Sequence, residues 1–433
     1  MPRLLVAVVL AASVSAVARP DDLPPDVLAA ARAITVNREL VKHVAKFTCL
    51  ETIQRVDLAR NRRKIRAQDV VQVEVAVGGG HEVFSWPGQN HFSDHELGEI
   101  VGHGMMATGL FQSMANTVFV GNAAAVKLLE KSVLHARPAY RFSYKVPSFQ
   151  SRWEVNWLGA RGIVGEEGEF WVDASHFTLL RLIVNAVDMP PVLPLQHLQI
   201  TIDYRPESLG TAKTLLPESA SVLAAEWNGA LHRDDVSFSH CRVFGAESTL
   251  LLSTAELVRE VSKFQRNREV LPADLTLPLA LETPIDSTNA MIGDKIRARL
   301  QERVVLPDSS TIPEGAIAEG YLRQLEKLDS GGAPYYQVGL EFDRLLWPDH
   351  SAEFFAEAFS IDSMASLSHA TYTQNTRDWF NNRSIEYHSE TFHPVHIPGV
   401  ASFMLEGNHV HVPKGFGMVW KTQETGRSPK KAN

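Results

Sequence analysis

The chain has 433 residues, too many for one ordinary domain, because cores stop growing and chains divide into units of about 100–200 residues. With 45% apolar and 21% charged residues it has a globular balance, which excludes a wholly disordered protein. The formal net charge of -8 argues against non-specific nucleic-acid binding and leaves short basic runs, such as Arg62, Arg63 and Lys64, as solvated loops.

Residues 1–18 read as a cleavable export signal: Arg3 is the positive start, Leu4 to Val14 the apolar stretch, and Ala16, Val17 and Ala18 the small-residue cleavage site. No later run approaches the ~20 apolar residues of a membrane span, and no cysteine flanks the cleavage site to accept lipid. The expectation is a periplasmic or secreted protein that is not integral to a membrane. Cys49 and Cys241 suit such an oxidising compartment, either as one bridge or as two buried thiols.

After Pro24 and Pro25, the spacing of Leu28, Ala31, Ile34, Val41 and Val44 predicts an amphipathic helix. Val71, Val73, Val75 and Val77 then alternate with polar residues up to a glycine triplet, which predicts a strand, a tight turn and a hairpin partner over 81–86. Ser93 with Glu96 looks like a capping box, and residues 123–131 read as a second short helical region. Strands are expected in close succession at Tyr140/Phe142/Tyr144, Trp153/Val155/Trp157, Phe170/Val172 and Leu180/Leu182/Val184, continuing to about residue 254. Their alternation implies an antiparallel sheet with one apolar face.

Residues 255–274 read as a linker with helical character. A second strand-rich domain is expected over 275–421, with turn chemistry at Ile312-Pro313-Glu314-Gly315 and a polar, His-rich insertion at 360–395. Residues 422–433 read as a disordered tail. The predicted class is therefore mainly β (α+β), with two domains.

Two resemblances sharpen this. Residues 25–254 resemble the half-barrel of LolA-like lipoprotein carriers, through the opening helix, the long antiparallel sheet and the Gly168-x-Phe170-Trp171-Val172-Asp173 segment running into Leu179-Leu180-Arg181-Leu182. They are also similar to exported proteins of Acidobacteria with a Cys-Leu-Glu-Thr-Ile-x-Arg start, here Cys49 to Arg55, and a Ser-His-Cys-Arg-x-Phe end, here Ser239 to Phe244. That resemblance implies a Cys49–Cys241 disulfide and brings no catalytic residues. Residues 275–421 resemble the TrbI-like barrel of conjugative-transfer channel proteins, through Ile292-Gly293-Asp294-Lys295-Ile296, Ile312-Pro313-Glu314-Gly315-Ala316 and the closing Pro413-Lys414-Gly415. The membrane-inserting helical pair of those channels has no counterpart here. The resemblances together imply a curved antiparallel half-barrel with helices, followed by a small β-barrel.

The search for catalytic motifs is negative. His95-Glu96 lacks the second histidine of the zinc-protease pattern, no nucleophile elbow or P-loop occurs, and Asp329-Ser330-Gly331 sits in a glycine-rich turn. Among His388, His393, His396, His409 and His411, the last two alternate and so form a two-ligand candidate for Zn, Cu or Ni, but nothing nearby completes a coordination sphere. No cofactor is expected. In a carrier fold, Tyr140, Phe142, Tyr144, Trp153, Val155 and Trp157 would present a concave apolar face to an acyl chain; in the plainer reading they fill a core under the helices. The expected function is a non-catalytic cell-envelope protein that binds a hydrophobic or lipid ligand, or an envelope protein partner. The alternatives are a structural subunit of an envelope complex without a small ligand, and a metal-dependent hydrolase using the C-terminal histidines.

Overall fold

A computed structural model of the chain describes residues 24–42, 46–59, 64–89, 92–121, 123–209, 212–244, 269–329, 334–361, 370–372 and 397–424. The expected export signal, residues 255–268 of the expected linker, the basic run at 60–63, most of the expected 360–395 insertion, His388, His393 and His396, and the chain beyond 424 lie outside these residues. The end of the expected linker is instead a short strand, Glu269–Val270, parallel to His350–Glu353. Thr422, expected in a disordered tail, is buried in the strand Gly417–Gln423 because its neighbour strands pair with it. Within them the protein is mainly β and antiparallel, as the alternation predicted.

The first half is one continuous antiparallel sheet. Its strands run in space as Ala125–Leu134, Arg137–Val146, Gly165–Asp173, Leu179–Val187, Leu195–Leu209, Ala212–Glu226, Leu231–Val243, Phe47–Leu58, Ile65–Gly78 and His81–Ser85. The valine alternation has the expected cause, since Val71, Val73, Val75 and Val77 are all fully buried on one face. Gly79 and Gly80, at φ 62° and 85°, make the two-residue turn that lets Gly78 pair with His81. The opening helix, Pro25–Lys42, buries Ala30, Ala33, Asn37 and Val41 against this sheet. Asn37 pins it there: its side-chain amide donates to the Phe177 carbonyl at 2.8 Å and accepts from the Leu179 N–H at 2.7 Å.

Three local expectations are corrected. Residues 123–131 are not helical; Ala125–Leu134 is a strand whose hairpin with Arg137–Val146 closes through His135 and Ala136 at positive φ. Pairing with a long neighbour overrides the helical propensity of alanine and leucine. Ser93 caps no helix: the five-residue helix Leu97–Val101 has no side-chain cap, and Ser93 instead bridges Phe84 in the sheet. Glu154–Trp157 does not join the large sheet either. It forms a separate hairpin with Ala160–Ile163, turned by Leu158 and Gly159 at φ 49° and 82°.

The second half holds the antiparallel run Phe355–Ile361, Gly417–Gln423, Thr276–Leu281, Lys295–Leu300, Ile317–Leu328, Tyr335–Trp347 and Ala401–Glu406. Its core is built on Phe342, Phe403 and Trp420, with the Phe342 and Trp420 rings edge to face at 5.4 Å. The two Pro-x-Gly turns form as expected, with Ala316 N–H donating to Pro313 and Phe416 N–H to Pro413.

The halves share backbone hydrogen bonds along one strand edge. On Ile65–Gly78, residues 74–78 pair with His81–Ser85, Val70 and Gln72 exchange bonds with Ile292, and Ala67 and Gln68 pair with Leu328 and Lys327. An edge that would otherwise be open is thus occupied along its length, which couples the second half to the first. Trp86 stacks on Tyr321 across the same junction at 6.1 Å.

Candidate functional site

Between the inner face of the first sheet and the segment 94–121 lies a cavity of about 2420 Å³. Pockets for drug-sized ligands are ~300–1,000 Å³, and ordinary interiors are close-packed, so a space of this size is a feature of the fold. Its wall includes Phe84, Leu97, Met105, Met106, Trp153, Trp157 and Leu158, together with Glu82, Glu166, Glu226 and His232.

The covering segment is fastened by side chains from several elements, among them Gln112, which donates to the Val41 carbonyl, and Arg38, which donates to the Phe119 carbonyl. Glu82 accepts hydrogen bonds from the backbone N–H of Gly109 and Phe111 at 2.7 and 3.1 Å. Tyr204 donates to the Leu110 carbonyl, Arg323 from the second half donates to the Ile100 carbonyl, and Arg55 donates to the His103 carbonyl at 2.6 Å. Arg55 also makes a two-point ion pair with Asp69, at 2.7 and 2.5 Å, with both side chains buried. Burial pushes the Asp69 carboxyl up, but the charge of Arg55 and hydrogen bonds from His103 and Arg55 outweigh it and hold the pKa at about 2. The neighbouring Asp234 and Glu326 have no such direct pairing, and burial raises each to about 8.

Period-two alternation places these groups. On Phe47–Leu58, the residues Cys49, Glu51, Ile53, Arg55 and Asp57 share a face, as do His232 and Asp234 on Leu231–Val243. At the far end of the sheet that face carries a half-buried relay. His232 Nδ1 is 2.7 Å from Asp57 Oδ1, and its Nε2 is 3.2 Å from Glu226 Oε1, which also accepts from the Trp157 indole N–H at 3.1 Å. Burial lowers the His232 pKa, but the hydrogen bond and charge of Asp57 and the charge of Glu226 reverse this and raise it, favouring the imidazolium.

A second polar group lies by the Trp153 backbone. The Trp153 N–H donates to Ser151 Oγ, which donates to Glu166 Oε1 at 3.0 Å, while Glu166 Oε2 has no partner. Burial raises the Glu166 pKa and the Ser151 hydrogen bond opposes it, leaving it raised overall.

The strand ends next to the relay support an apolar rim. The registers Gly165↔Val187, Leu195↔Glu226 and Leu58↔Leu231 put the loops after Val146, Val187 and Glu226 at the same end of the sheet. From those loops and the 154–163 hairpin project Phe149, Leu158, Ile163, Val192 and Trp227, with Phe149 83%, Leu158 82% and Trp227 70% exposed. Leu158 belongs both to this rim and to the cavity wall.

The six residues singled out as a concave apolar face are divided. Trp153 and Trp157 line the cavity. Phe142 and Tyr144 are buried against Phe170, at 5.0 and 6.4 Å, and Phe170 packs in turn on Phe119 of the helix Ser113–Phe119. Val155 is buried as well, and Tyr140 stacks on Phe177 at 5.3 Å, under the opening helix. The helices therefore fill one part of the sheet and leave the other part open. Cys49 and Cys241 are bonded, at a β-bulge where the register shifts between Thr48 and Leu50. His409 Nε2 is 2.7 Å from Asp286 Oδ1, His411 is exposed, and among the described residues no three potential metal ligands come together.

Glu166, Glu226 and His232 were not singled out from the sequence. The alternation that sends Phe170 and Val172 inward also sends Gly168 and Glu166 inward, so the signal for Glu166 was present. The Asp57–His232 pairing depends on a strand register between residues 175 apart, which no local pattern carries.

No protein-family model matches the chain, and no curated protein matches it. Solved structures similar to it include a LolA superfamily protein of Nitrosomonas europaea, 12% identical with a TM-score of 0.27, covering 50% of this chain and 94% of that one. A DUF1329 family protein of Desulfovibrio piger is 9% identical with a TM-score of 0.29, covering 54% of this chain and 100% of that one. A domain from Vibrio parahaemolyticus named for outer membrane lipoprotein sorting is 9% identical with a TM-score of 0.30, covering 54% and 98%. At these scores the likenesses assign neither ligand nor residue to this chain. Among the described residues, no helix is long and apolar enough to cross a membrane.

Proposed function

We propose that the protein is a non-catalytic carrier of the cell envelope that holds an amphiphilic, chain-bearing ligand in the cavity. One observation carries this reading: a cavity of about 2420 Å³ has in its wall Leu158, one of the exposed apolar side chains gathered at that end of the sheet. An acyl chain entering it gains ~0.8 kcal/mol per buried methylene before the cost of association, so a long chain binds usefully even to a partly polar wall. Large apolar side chains gathered in this way are costly in water unless they meet an apolar partner, which the ligand tail supplies.

The non-catalytic part of the reading rests on the relay. Both ring nitrogens of His232 are engaged by carboxylates, Asp57 and Glu226, so the imidazole has no free nitrogen with which to take a substrate proton. The expected export signal and the Cys49–Cys241 disulfide fit an envelope location. Native mass spectrometry of the full chain purified from an envelope fraction without detergent tests the proposal. A retained small molecule, released on denaturation, is expected; a protein of bare polypeptide mass that also fails to take up an added acyl probe contradicts it.

A further inference from the structure

The carrier reading leaves open which head group the cavity accepts, and the wall itself bears on this. The residues lining it include eight carboxylates and four lysines or arginines. An acidic excess alone selects nothing, because surface acids are solvated and buried ones can be satisfied internally. The three buried acids of the wall differ in this respect. Glu82 is satisfied by the backbone N–H groups of Gly109 and Phe111. Glu226 is satisfied by Trp157, Asn228 and His232. Glu166 is 1% exposed, has one oxygen on Ser151, and has its second oxygen without a partner.

A buried carboxylate oxygen without a partner costs about 1–3 kcal/mol, more when charged, so its retention calls for a group that arrives later. Among the described ion pairs no lysine or arginine reaches Glu166: Arg161 lies against Glu154, and Lys145 pairs with Glu167 on the other face of the same strand. Trp153 lines the same cavity: its backbone N–H is joined to Glu166 through Ser151, and its side chain is half-buried on the wall. A buried carboxylate and an indole lining one cavity are groups that recognise an ammonium, the first by charge and hydrogen bonding, the second by its ring quadrupole.

We propose that the cavity selects cationic amphiphiles, with an alkylammonium head group seated at Glu166 and Trp153 and the alkyl tail along the apolar wall toward Leu158. The proposal rests on the carrier reading. Glu166 is the one buried acid of the wall that lacks an internal partner for one oxygen, so the ligand supplies the missing positive group. A fatty-acid carboxylate would set like charge against Glu166 and is rejected by the same corner.

The test is titration of the full chain, below micellar concentrations, with dodecylammonium and with dodecanoate, in the wild type and in Glu166→Gln. The wild type should bind dodecylammonium at least about tenfold more tightly. Glu166→Gln, which keeps the side-chain shape and the Ser151 contact, should lose most of that preference by weakening dodecylammonium about tenfold while leaving dodecanoate nearly unchanged. Equal affinities in the wild type, a preference for dodecanoate, or a preference that survives in folded Glu166→Gln overturns the head-group assignment while the carrier reading stands. Binding of neither probe overturns both. If the variant does not fold, the ratio of the two wild-type affinities decides alone.

Discussion

Arg55 and Asp69 meet as a buried two-point ion pair on neighbouring strands, and the same guanidinium holds the His103 carbonyl of the segment that covers the cavity. Removing one partner of such a pair leaves an uncompensated buried charge, at a cost of about 3–5 kcal/mol. Arg55→Ala should therefore lower unfolding stability by that amount and loosen residues 97–112, seen as faster amide exchange there. Arg233→Ala, which removes an exposed pair with Asp235, should change stability by less than about 1 kcal/mol. Equal effects for the two variants would show that the buried pair does not hold the cover.

The acids around that pair set a pH dependence. Asp234 and Glu326 ionise at about 8 in the folded protein, against about 4 in an unfolded chain. Above about pH 4 the unfolded chain releases their protons while the folded protein retains them, so stability falls as pH rises, until about pH 8 where both states are ionised. Asp69 acts in the opposite sense: its contribution is present above about pH 4 and is lost as pH falls through about 2. Denaturant unfolding should show a protein more stable at pH 5 than at pH 8, by an amount on the order of a few kcal/mol. Asp234→Asn should flatten that slope, and a wild type more stable at pH 8 would contradict the assignment.

Gly293 tests the junction between the halves. It lies at φ 101°, and a Cβ there would fall 2.2 Å from the Gln72 carbonyl oxygen. That oxygen belongs to backbone, so neither side can yield cheaply. Gly293→Ala should cost several kcal/mol by thermal unfolding, whereas Gly80→Ala, at φ 85° with nothing within 4 Å, should cost only about 1 kcal/mol for the backbone conformation.

The Cys49–Cys241 bond closes a separation of 192 residues. On the chain-entropy estimate its loss costs about 5 kcal/mol, an upper figure because measured values often fall short. Thiol titration of the unfolded, unreduced protein should find no reactive thiol, and the Cys49→Ala/Cys241→Ala double variant should unfold at a lower temperature.

Much of the fold was legible because strands write themselves as alternation. The valines of Ile65–Gly78, the glycine turn after them and the Pro-x-Gly turns of the second half needed no tertiary information. Residues 123–131 were misread because alanine and leucine suit a helix locally and only the neighbouring strand decides otherwise. The site was less legible. The period marks Trp153 and Trp157 as strand residues of the main sheet, yet they line the cavity because Glu154–Trp157 forms a hairpin apart from that sheet and Trp153 only leads into it. Phe142, chosen by the same rule, is covered by helix-borne Phe119 through Phe170, a long-range packing choice without a local signature.

The carrier reading also predicts that narrowing the cavity weakens binding without unfolding the protein. Gly98 lines the cavity, and a Cβ added there meets nothing within 4 Å. Gly98→Trp should keep the wild-type melting temperature, since a glycine in a helix is already unfavourable by roughly 1 kcal/mol. The most direct measurement is titration of wild type and Gly98→Trp with dodecylammonium, followed by calorimetry at protein concentrations in the micromolar range. Saturable binding of about one ligand per chain in the wild type, weakened in a folded Gly98→Trp, is the predicted result. No saturable binding by the wild type to dodecylammonium or to dodecanoate would contradict the account.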